Sequence, residues 1–236
     1  STTHYKGYRG KTIVVDLTKQ SFLVKETDPL LIENYLGGRG WAIKYLYDNL
    51  SQGIDPLSPE NILILSLGPL TGTFAPSTAR YTVEAKSPMT GGIGYANSGR
   101  HFAPELAYAG YDAIFLHGKS EKPVFLYIED DKIELRDASH LWGKDTWETD
   151  AILKSELSEN FQVLCIGQGG ENLVKYAALM NNLSRAAART GLGAVMGSKN
   201  LKAIAVRGTG AVEIAKPLEF HDFVDETLKK IYDDPA

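Results

Sequence analysis

The sequence predicts an α+β domain, a β-rich base of mixed and antiparallel sheets with flanking helices. Three observations predict it. About nine short runs rich in β-branched and aromatic residues are spread along the chain. Several are joined by turns too short for the crossover that parallel neighbours require. Stretches with helical spacing of apolar residues fall irregularly among them, which disfavours a regular βαβ alternation.

The elements follow in order. Residues 11–17 and Ser21–Glu26 are joined at Thr18-Lys19-Gln20 and read as a hairpin. Asp28-Pro29 marks a helix start, with Asp as N-cap and Pro in the first turn. That helix runs through Leu31, Ile32 and Tyr35 to a stop at Gly37-Gly38. A second helix over 41–50 is expected to turn Ile43, Leu46, Tyr47 and Leu50 inward. Residues 61–67 are continuously apolar, as in a strand buried on both faces. Tyr81, Val83 and Ala85 alternate with Thr82, Glu84 and Lys86, the pattern of a half-buried strand. A helix is expected from Ser98 to Gly110, containing Phe102, Leu106 and Ala109. Strands follow at Ala113–His117, Val124–Glu129 and 132–136, the last two joined by an Asp130-Asp131 turn. Residues 146–157 read as a helix with Ile152, Leu153 and Leu157 inward. Residues 161–166, 175–180 and 201–206 read as strands, and 184–200 as a loop. Residues 218–232 place Phe220, Phe223, Val224, Leu228 and Ile231 on one helical face.

Composition narrows the function classes. The 236 residues are 43% hydrophobic and 23% charged, with a formal charge of −4, as in ordinary soluble domains. Disorder, collagen and coiled coil are excluded, and no apolar run approaches the roughly 18–20 residues of a membrane span. With no charged-then-apolar leader, the expectation is a cytoplasmic protein with no membrane partner. The one cysteine, Cys165, excludes an internal disulfide and any metal site built from several thiolates of this chain.

The charge is uneven. No Asp or Glu lies between Glu171 and Glu213, yet Lys175, Arg185, Arg189, Lys199, Lys202 and Arg207 do, a local +6. A second acid-free interval, between Glu60 and Glu84, holds Arg80, and a third, between Glu84 and Glu105, holds Lys86, Arg100 and His101. All three are rich in glycine, which lets backbone N–H groups approach a ligand. Together they read as a pocket for a small, multiply charged anion. The competing reading is a set of flexible loops with solvated cations.

Other constellations fail on spacing. Gly167-Gln168-Gly169-Gly170 follows an apolar strand, but a dinucleotide fingerprint needs a third glycine where Asn172 stands. No phosphate-binding Walker sequence is present. Cys165 sits in an apolar strand and reads as a buried structural thiol. His4, His101, His117, His140 and His221 lack metal-ligand spacing. Glu105 lies four residues after His101, as in a surface pair or a proton relay, and His140 reads as bonding a turn. In 181–200, Arg185 and Arg189 are four apart, so a helical turn would point both to one side. Ala186, Ala187 and Ala188 between them leave the backbone approachable, and arginine forks suit phosphate. The alternative is a short surface helix with solvated arginines. Nucleic-acid binding is not expected, since residues 184–200 contain no aromatic to stack beside the arginines.

A resemblance organises these features. Gly7-Tyr8-Arg9-Gly10-Lys11, Leu36-Gly37-Gly38-Arg39-Gly40, Gly68-Pro69-Leu70-Thr71-Gly72-Thr73, Arg80-Tyr81, Ala96-Asn97-Ser98-Gly99, Ala109-Gly110-Tyr111-Asp112-Ala113 and 193–203 resemble, in order, the N-terminal domain of the tungsten-containing aldehyde:ferredoxin oxidoreductase family. The resemblance implies a base on which tungsten is held by the dithiolenes of two pterins, whose phosphates are bridged by magnesium. It implies that Arg80 reaches the pterin and a neighbouring iron–sulfur cluster, and that Asn97 and Gly99 lie against the cofactor. It further implies that Arg185, Ala186, Ala187 and Arg189 contribute the second phosphate loop. Magnesium would take the backbone carbonyls of Asn97 and Ala186, a hard cation choosing oxygen. No catalytic residue is expected in this segment. Ala188 and Thr190 stand where the family commonly has glycine, so the second loop is less permissive.

The implied activity is oxidation of an aldehyde to a carboxylic acid with reduction of ferredoxin. The cluster cysteines are expected in further domains or a second subunit, so the chain reads as a fragment or one part of a split enzyme. Residues 1–210 are expected to form the tungstopterin-binding domain and 211–236 to start a following helical domain. The alternative is a non-catalytic module that binds a phosphorylated pterin or similar anion.

Overall fold

The computed structural model describes residues 5–235. β1 (Lys11–Asp16) and β2 (Ser21–Glu26) form the expected hairpin, with Lys11 opposite Glu26 and Asp16 opposite Ser21. α1 (Pro29–Tyr35) begins where Asp28 accepts from Leu30 N at 2.9 Å. There follow α2 (Arg39–Asn49), β3 (Leu63–Ser66), β4 (Tyr81–Lys86), β5 (Ile93–Ser98), α3 (Phe102–Ala109) and β6 (Ala113–His117). Next are β7 (Val124–Glu129), β8 (Lys132–Asp137), α4 (Thr146–Glu156), β9 (Gln162–Cys165), the short α5 (Gln168–Glu171), β10 (Leu179–Asn181) and β11 (Arg185–Ala187). A 3-10 turn (Arg189–Gly191) leads into α6 (Leu192–Ser198), β12 (Leu201–Arg207) and α7 (Pro217–Asp233).

The strands form two six-stranded sheets, ordered β2-β1-β6-β3-β4-β5 and β11-β10-β9-β12-β7-β8. β1 with β6 and β12 with β7 are parallel, and the other neighbours are antiparallel. This is the expected mixed α+β architecture. The inner faces of both sheets share one core, in which Ile13, Leu65, Val83, Leu126, Leu164 and Ile204 meet Phe102 and Leu106 of α3 and Val195 and Met196 of α6. The outer face of the first sheet is covered by α2 through Ala42 and Leu46. α4 covers the outer face of the second through Leu153, with Ile152 and Leu157 alongside as expected. Its start is a reciprocal cap between Asp145 and Glu148. No helix among the described residues is long and apolar enough to cross a membrane.

Five expectations need correction. α2 buries Trp41, Ala42 and Leu46, whereas Ile43 and Tyr47 are 42% and 81% exposed, so its inner face is rotated from the one read off the spacing. β5 is absent from the sequence reading, and the helix expected from Ser98 begins at Phe102. Gly94 and the half-buried Tyr95 and Asn97 hide the alternation that would have marked β5. Glu84 is fully buried, because α2 packs over that side of β4. Of residues 175–180 only the end is strand, since Ala177 gives its carbonyl to Gly193 N at the start of α6. The loop expected over 184–200 is instead β11, the 3-10 turn and α6.

On α7 the expected face is only partly covered. Val224 is buried and Phe220 meets Phe74 at 5.1 Å between ring centroids, while Phe223 and Ile231 remain exposed.

Candidate functional site

The two sheets meet edge to edge. β5 ends one sheet, β11 ends the other, and the two end strands pack together. An end strand leaves a row of backbone N–H and C=O groups without a strand partner. Asn97 sits on β5 opposite Thr82, and Ala186 on β11 opposite Met180. Arg80, exposed just before β4, donates from Nη1 to Asn97 Oδ1 at 2.9 Å. Asn97 Nδ2 in turn donates to Tyr95 Oη at 3.0 Å. Gly99 follows directly on β5. The sequence-predicted Arg80, Asn97, Gly99, Arg185, Ala186 and Ala187 therefore lie on or beside two abutting strands.

Close approach explains two glycines. A Cβ on Gly94 would lie 2.9 Å from Thr190 Oγ1 and 3.0 Å from Leu192 Cδ2, so the bare backbone lets β5 reach the 3-10 turn. A Cβ on Gly191 would lie 1.9 Å from the Lys175 carbonyl oxygen, which no rearrangement of a side chain relieves. Beside it, Thr190 holds φ at 75°, a left-handed conformation that a β-branched residue adopts only under strain. Ser87 Oγ donates to Thr190 O at 2.6 Å and pins it there.

The arginine pair differs from expectation. Arg185 lies in a strand opposite Asn181, and Arg189 opens the 3-10 turn, so no helical face unites them. The ladder from β10 overrides the helix propensity of the intervening alanines. Arg189 instead lines a cleft of about 450 Å³ with Met89, Tyr176 and Thr190. Arg80 lines another, of about 330 Å³, with Gly37, Gly38, Gly68, Thr71 and Thr82. A buried ion pair builds the wall of this second cleft. Arg9 Nε meets Asp112 Oδ1 at 2.9 Å, and Arg9 Nη1 donates to the carbonyls of Gly68 at 3.2 Å and Thr71 at 3.3 Å.

Half of the basic interval serves the scaffold. Lys199 is buried, donating from Nζ to the carbonyls of Asn61 and of Gly118, and burial brings its ammonium down to about 7. Lys202 is buried against Glu171 and the Lys144 carbonyl, and Arg207 pairs with Glu129 at 3.3 Å. The local +6 is thus not a single electropositive surface. Net charge along a chain does not say which side chains fold inward.

A polar network at the junction escaped the sequence reading. Tyr81 Oη donates to Asn181 Oδ1 at 2.8 Å, and Asn181 Nδ2 donates to the Gly99 carbonyl and to Asn182 Oδ1, each at 2.9 Å. Arg100 Nη1 reaches Ser184 Oγ at 3.1 Å and the Asn182 carbonyl at 3.3 Å. Two adjacent asparagines closing an apolar strand were the available signal. Glu84 is the second omission. Burial raises its carboxyl to about 8, Thr82 Oγ1 donates to Oε2 at 3.2 Å, and Oε1 has no protein partner.

The remaining candidates are structural. Cys165 is buried with its thiol raised to about 12 by desolvation. Glu105 accepts from Gly208 N at 3.0 Å, and its raised carboxyl feels His101 only through weak charge attraction, behind burial and the Gly208 bond. His140 pairs with Glu156 at 2.9 Å instead of bonding a turn, and His4 lies outside the described residues. Among the described residues no group of three or more His, Cys, Asp or Glu side chains could hold a metal ion.

Comparison with known proteins places the chain. Residues 12–208 match the family model for the aldehyde ferredoxin oxidoreductase N-terminal domain. The chain is 53% identical over 231 residues to the tungsten-containing aldehyde ferredoxin oxidoreductase of Pyrococcus furiosus, covering 98% of this chain and 38% of that protein. The Thermococcus kodakarensis protein of the same description is 51% identical over the same shares. A WOR-like subunit of an aliphatic sulfonate oxidoreductase from Pyrococcus furiosus is 36% identical over 86% of this chain and 35% of that one. Among solved structures, a chain of the active-site complex BamBC of benzoyl coenzyme A reductase, with bound 1,5 dienoyl-CoA, superposes with a TM-score of 0.94 at 46% identity, over 96% of this chain and 35% of that chain. The chain thus spans little more than a third of the length of these relatives. With its two abutting sheets and its sequence matching over nearly the whole length, this chain belongs to the aldehyde ferredoxin oxidoreductase N-terminal domain family.

Proposed function

We propose that this chain seats the phosphates and bridging magnesium of a tungsten bis-pterin, as part of an enzyme that oxidises aldehydes to carboxylic acids and reduces ferredoxin. The observation that carries the reading is the abutment of β5 and β11, with Asn97 on one, Ala186 on the other and Arg80 beside them. The donor set suits the group. Backbone carbonyls on two end strands offer hard oxygen to magnesium. Exposed Arg80 and Arg185 offer guanidinium forks to phosphate, and the surrounding acid-free intervals offer no carboxylate to repel it. A Cβ on Gly99 would make only ordinary contacts, 3.5 Å from the Ala79 carbonyl oxygen, so packing within the chain does not demand glycine there and leaves that side of the backbone open to a ligand.

In this reading the chain binds and orients. Arg80, held by Asn97, would bind and orient one pterin. Arg185 and Ala186 hold the second phosphate from the exposed part of β11, with Ala187 anchoring the strand in the core and Arg189 at the margin of that loop. The cofactor, when bound, supplies the two-electron redox chemistry. The iron–sulfur ligands, the aldehyde-binding walls and the ferredoxin contact belong to further domains or a second subunit. The segment 211–236 starts the next helical domain, and residues 1–210 are the seat. Relatives whose names specify aldehydes, an aliphatic sulfonate and a coenzyme A thioester share this base, which supports placing substrate choice outside it.

The test is elemental and catalytic. The intact protein from cells grown with tungstate should carry tungsten and magnesium in equal amounts with two pterin phosphates, and should oxidise aldehydes with ferredoxin as acceptor. Metal-free protein that still binds a phosphorylated pterin would establish the non-catalytic module instead.

A further inference from the structure

We infer that Asn181 is a positioning residue that sets the distance between the two halves of the cofactor seat. The inference rests on the bis-pterin reading. One half of the seat, Arg80, Asn97 and Gly99, belongs to the first sheet, and the other, Arg185 to Ala187, to the second. No strand ladder joins the two sheets, so side chains and packing must set their register. Asn181 stands at that seam. It lies opposite Arg185 in the β10–β11 hairpin, it is 1% exposed, and every polar atom of its amide is used.

The orientation of that amide is dictated by its partners. The Gly99 carbonyl can only accept, so it must face Nδ2, which leaves Oδ1 for the Tyr81 hydroxyl. Tyr81 and Gly99 immediately follow Arg80 and β5, respectively. A single side chain of the second sheet therefore holds both segments that carry the first half of the seat. The same Nδ2 steadies Asn182, whose Oδ1 also accepts from His101 N at 3.2 Å and whose Nδ2 reaches Gln162 Oε1 at 2.5 Å. Asn182 and Leu183 carry φ of 49° and 65°, so the turn that aims Arg185 is a strained one held from beneath. Arg100, itself at φ 79°, spans the seam a second time on the solvent side through Ser184.

Magnesium shared by carbonyls on two different sheets needs a fixed separation, because the ion tolerates little departure from its preferred geometry. Asn181 supplies that constraint without touching the ion. Asparagine fits where neither aspartate nor leucine does. Aspartate would set a carboxylate oxygen against the Gly99 carbonyl and Asn182 Oδ1, and leucine would take from Tyr81 Oη its acceptor and from the Gly99 carbonyl its side-chain donor.

The experiment compares Asn181→Leu, Asn181→Asp and Tyr81→Phe in the intact protein, with Leu153→Ala, under α4 on the far side of the second sheet, as a stability control. Tungsten and phosphorus per polypeptide are measured, together with hydrogen exchange of residues 97–101 and 182–189. Both Asn181 variants should lose cofactor by about tenfold and Tyr81→Phe by a smaller factor. Both peptide segments should exchange faster together, while Leu153→Ala keeps its cofactor at a comparable melting temperature. Retention of more than about half the wild-type tungsten and phosphorus in the Asn181 variants, or equal loss in Leu153→Ala, overturns the inference. If the Asn181 variants do not fold, Tyr81→Phe decides alone, since it removes one oxygen and keeps its ring in the core. Wild-type protein without tungsten or pterin phosphate overturns the bis-pterin reading, and with it this inference. Wild-type protein that carries both, with Asn181 variants that keep them, overturns only the inference.

Discussion

Arg80 and Asn97 are joined side chain to side chain across a 2.9 Å hydrogen bond, the guanidinium preceding β4 and the amide on its neighbour β5. The pair is solvent-accessible and contributes little to folding. Arg80→Ala should therefore leave the melting temperature nearly unchanged. If the proposed reading holds, it also removes a charge-assisted contact to the pterin, and tungsten and phosphorus content should fall by about 10- to 100-fold. Metal analysis beside calorimetry checks this, and Asn97→Ala should show the same pattern more weakly.

Thr190 predicts a gain of stability. A left-handed backbone costs a residue with a Cβ about 1–2 kcal/mol, and glycine's extra chain entropy returns about 0.5–1 kcal/mol of that. Thr190→Gly should stabilise the protein by up to about 1 kcal/mol, or about 2–4 °C in melting temperature. A drop in stability would show that the Thr190 side chain, packed beside Gly94, outweighs its backbone strain.

Glu84 makes stability depend on pH. Its carboxyl is raised to about 8 chiefly by desolvation, so the folded state binds more protons than the unfolded chain between about pH 4.5 and 8. The favourable contribution of the neutral form is complete below the unfolded value and is lost as pH rises through 8. Glu84→Gln lacks that loss. Its stability relative to wild type should rise between pH 5 and 8.5 by about 4 kcal/mol, readable from urea midpoints at the two pH values. A constant difference would place the Glu84 carboxyl in its ordinary range.

Asp112 holds the cleft wall through Arg9. It accepts from Arg9 N, Gly10 N and Thr27 Oγ1 at 2.7–2.8 Å and is fully buried. Asp112→Asn leaves the Arg9 charge buried without a counter-charge, a loss of about 3–5 kcal/mol. Chemical denaturation measures it. Because Arg9 also ties the Gly68 and Thr71 carbonyls, faster hydrogen exchange over 68–73 should accompany the loss.

Local chemistry was legible and remote chemistry was not. The Asp28 cap, the β1–β2 hairpin, the β7–β8 turn at Asp130 and the inward face of α4 all depend on residues within a few positions of one another. Spacing along the chain reports those directly. The inner face of α2, the strand β5 and the burial of Glu84 depend on which element lies opposite, and spacing is silent about that. Arg185 and Arg189 show the same limit at the candidate site. Their four-residue interval suits a helix, but pairing with β10 draws Arg185 into a strand.

From its sequence alone this protein declared an α+β domain, its family, and the residue types that suit a phosphorylated ligand. Tertiary structure decided which of those residues face one another. It sent Lys199 and Lys202 into the interior, placed Arg189 and Arg80 in different clefts, and brought Asn97 and Ala186 onto adjoining strands with Asn181 between their sheets. The reason is physical. Charge and propensity belong to single residues and near neighbours, whereas the meeting of two sheet edges follows from closing two separate ladders around one shared core.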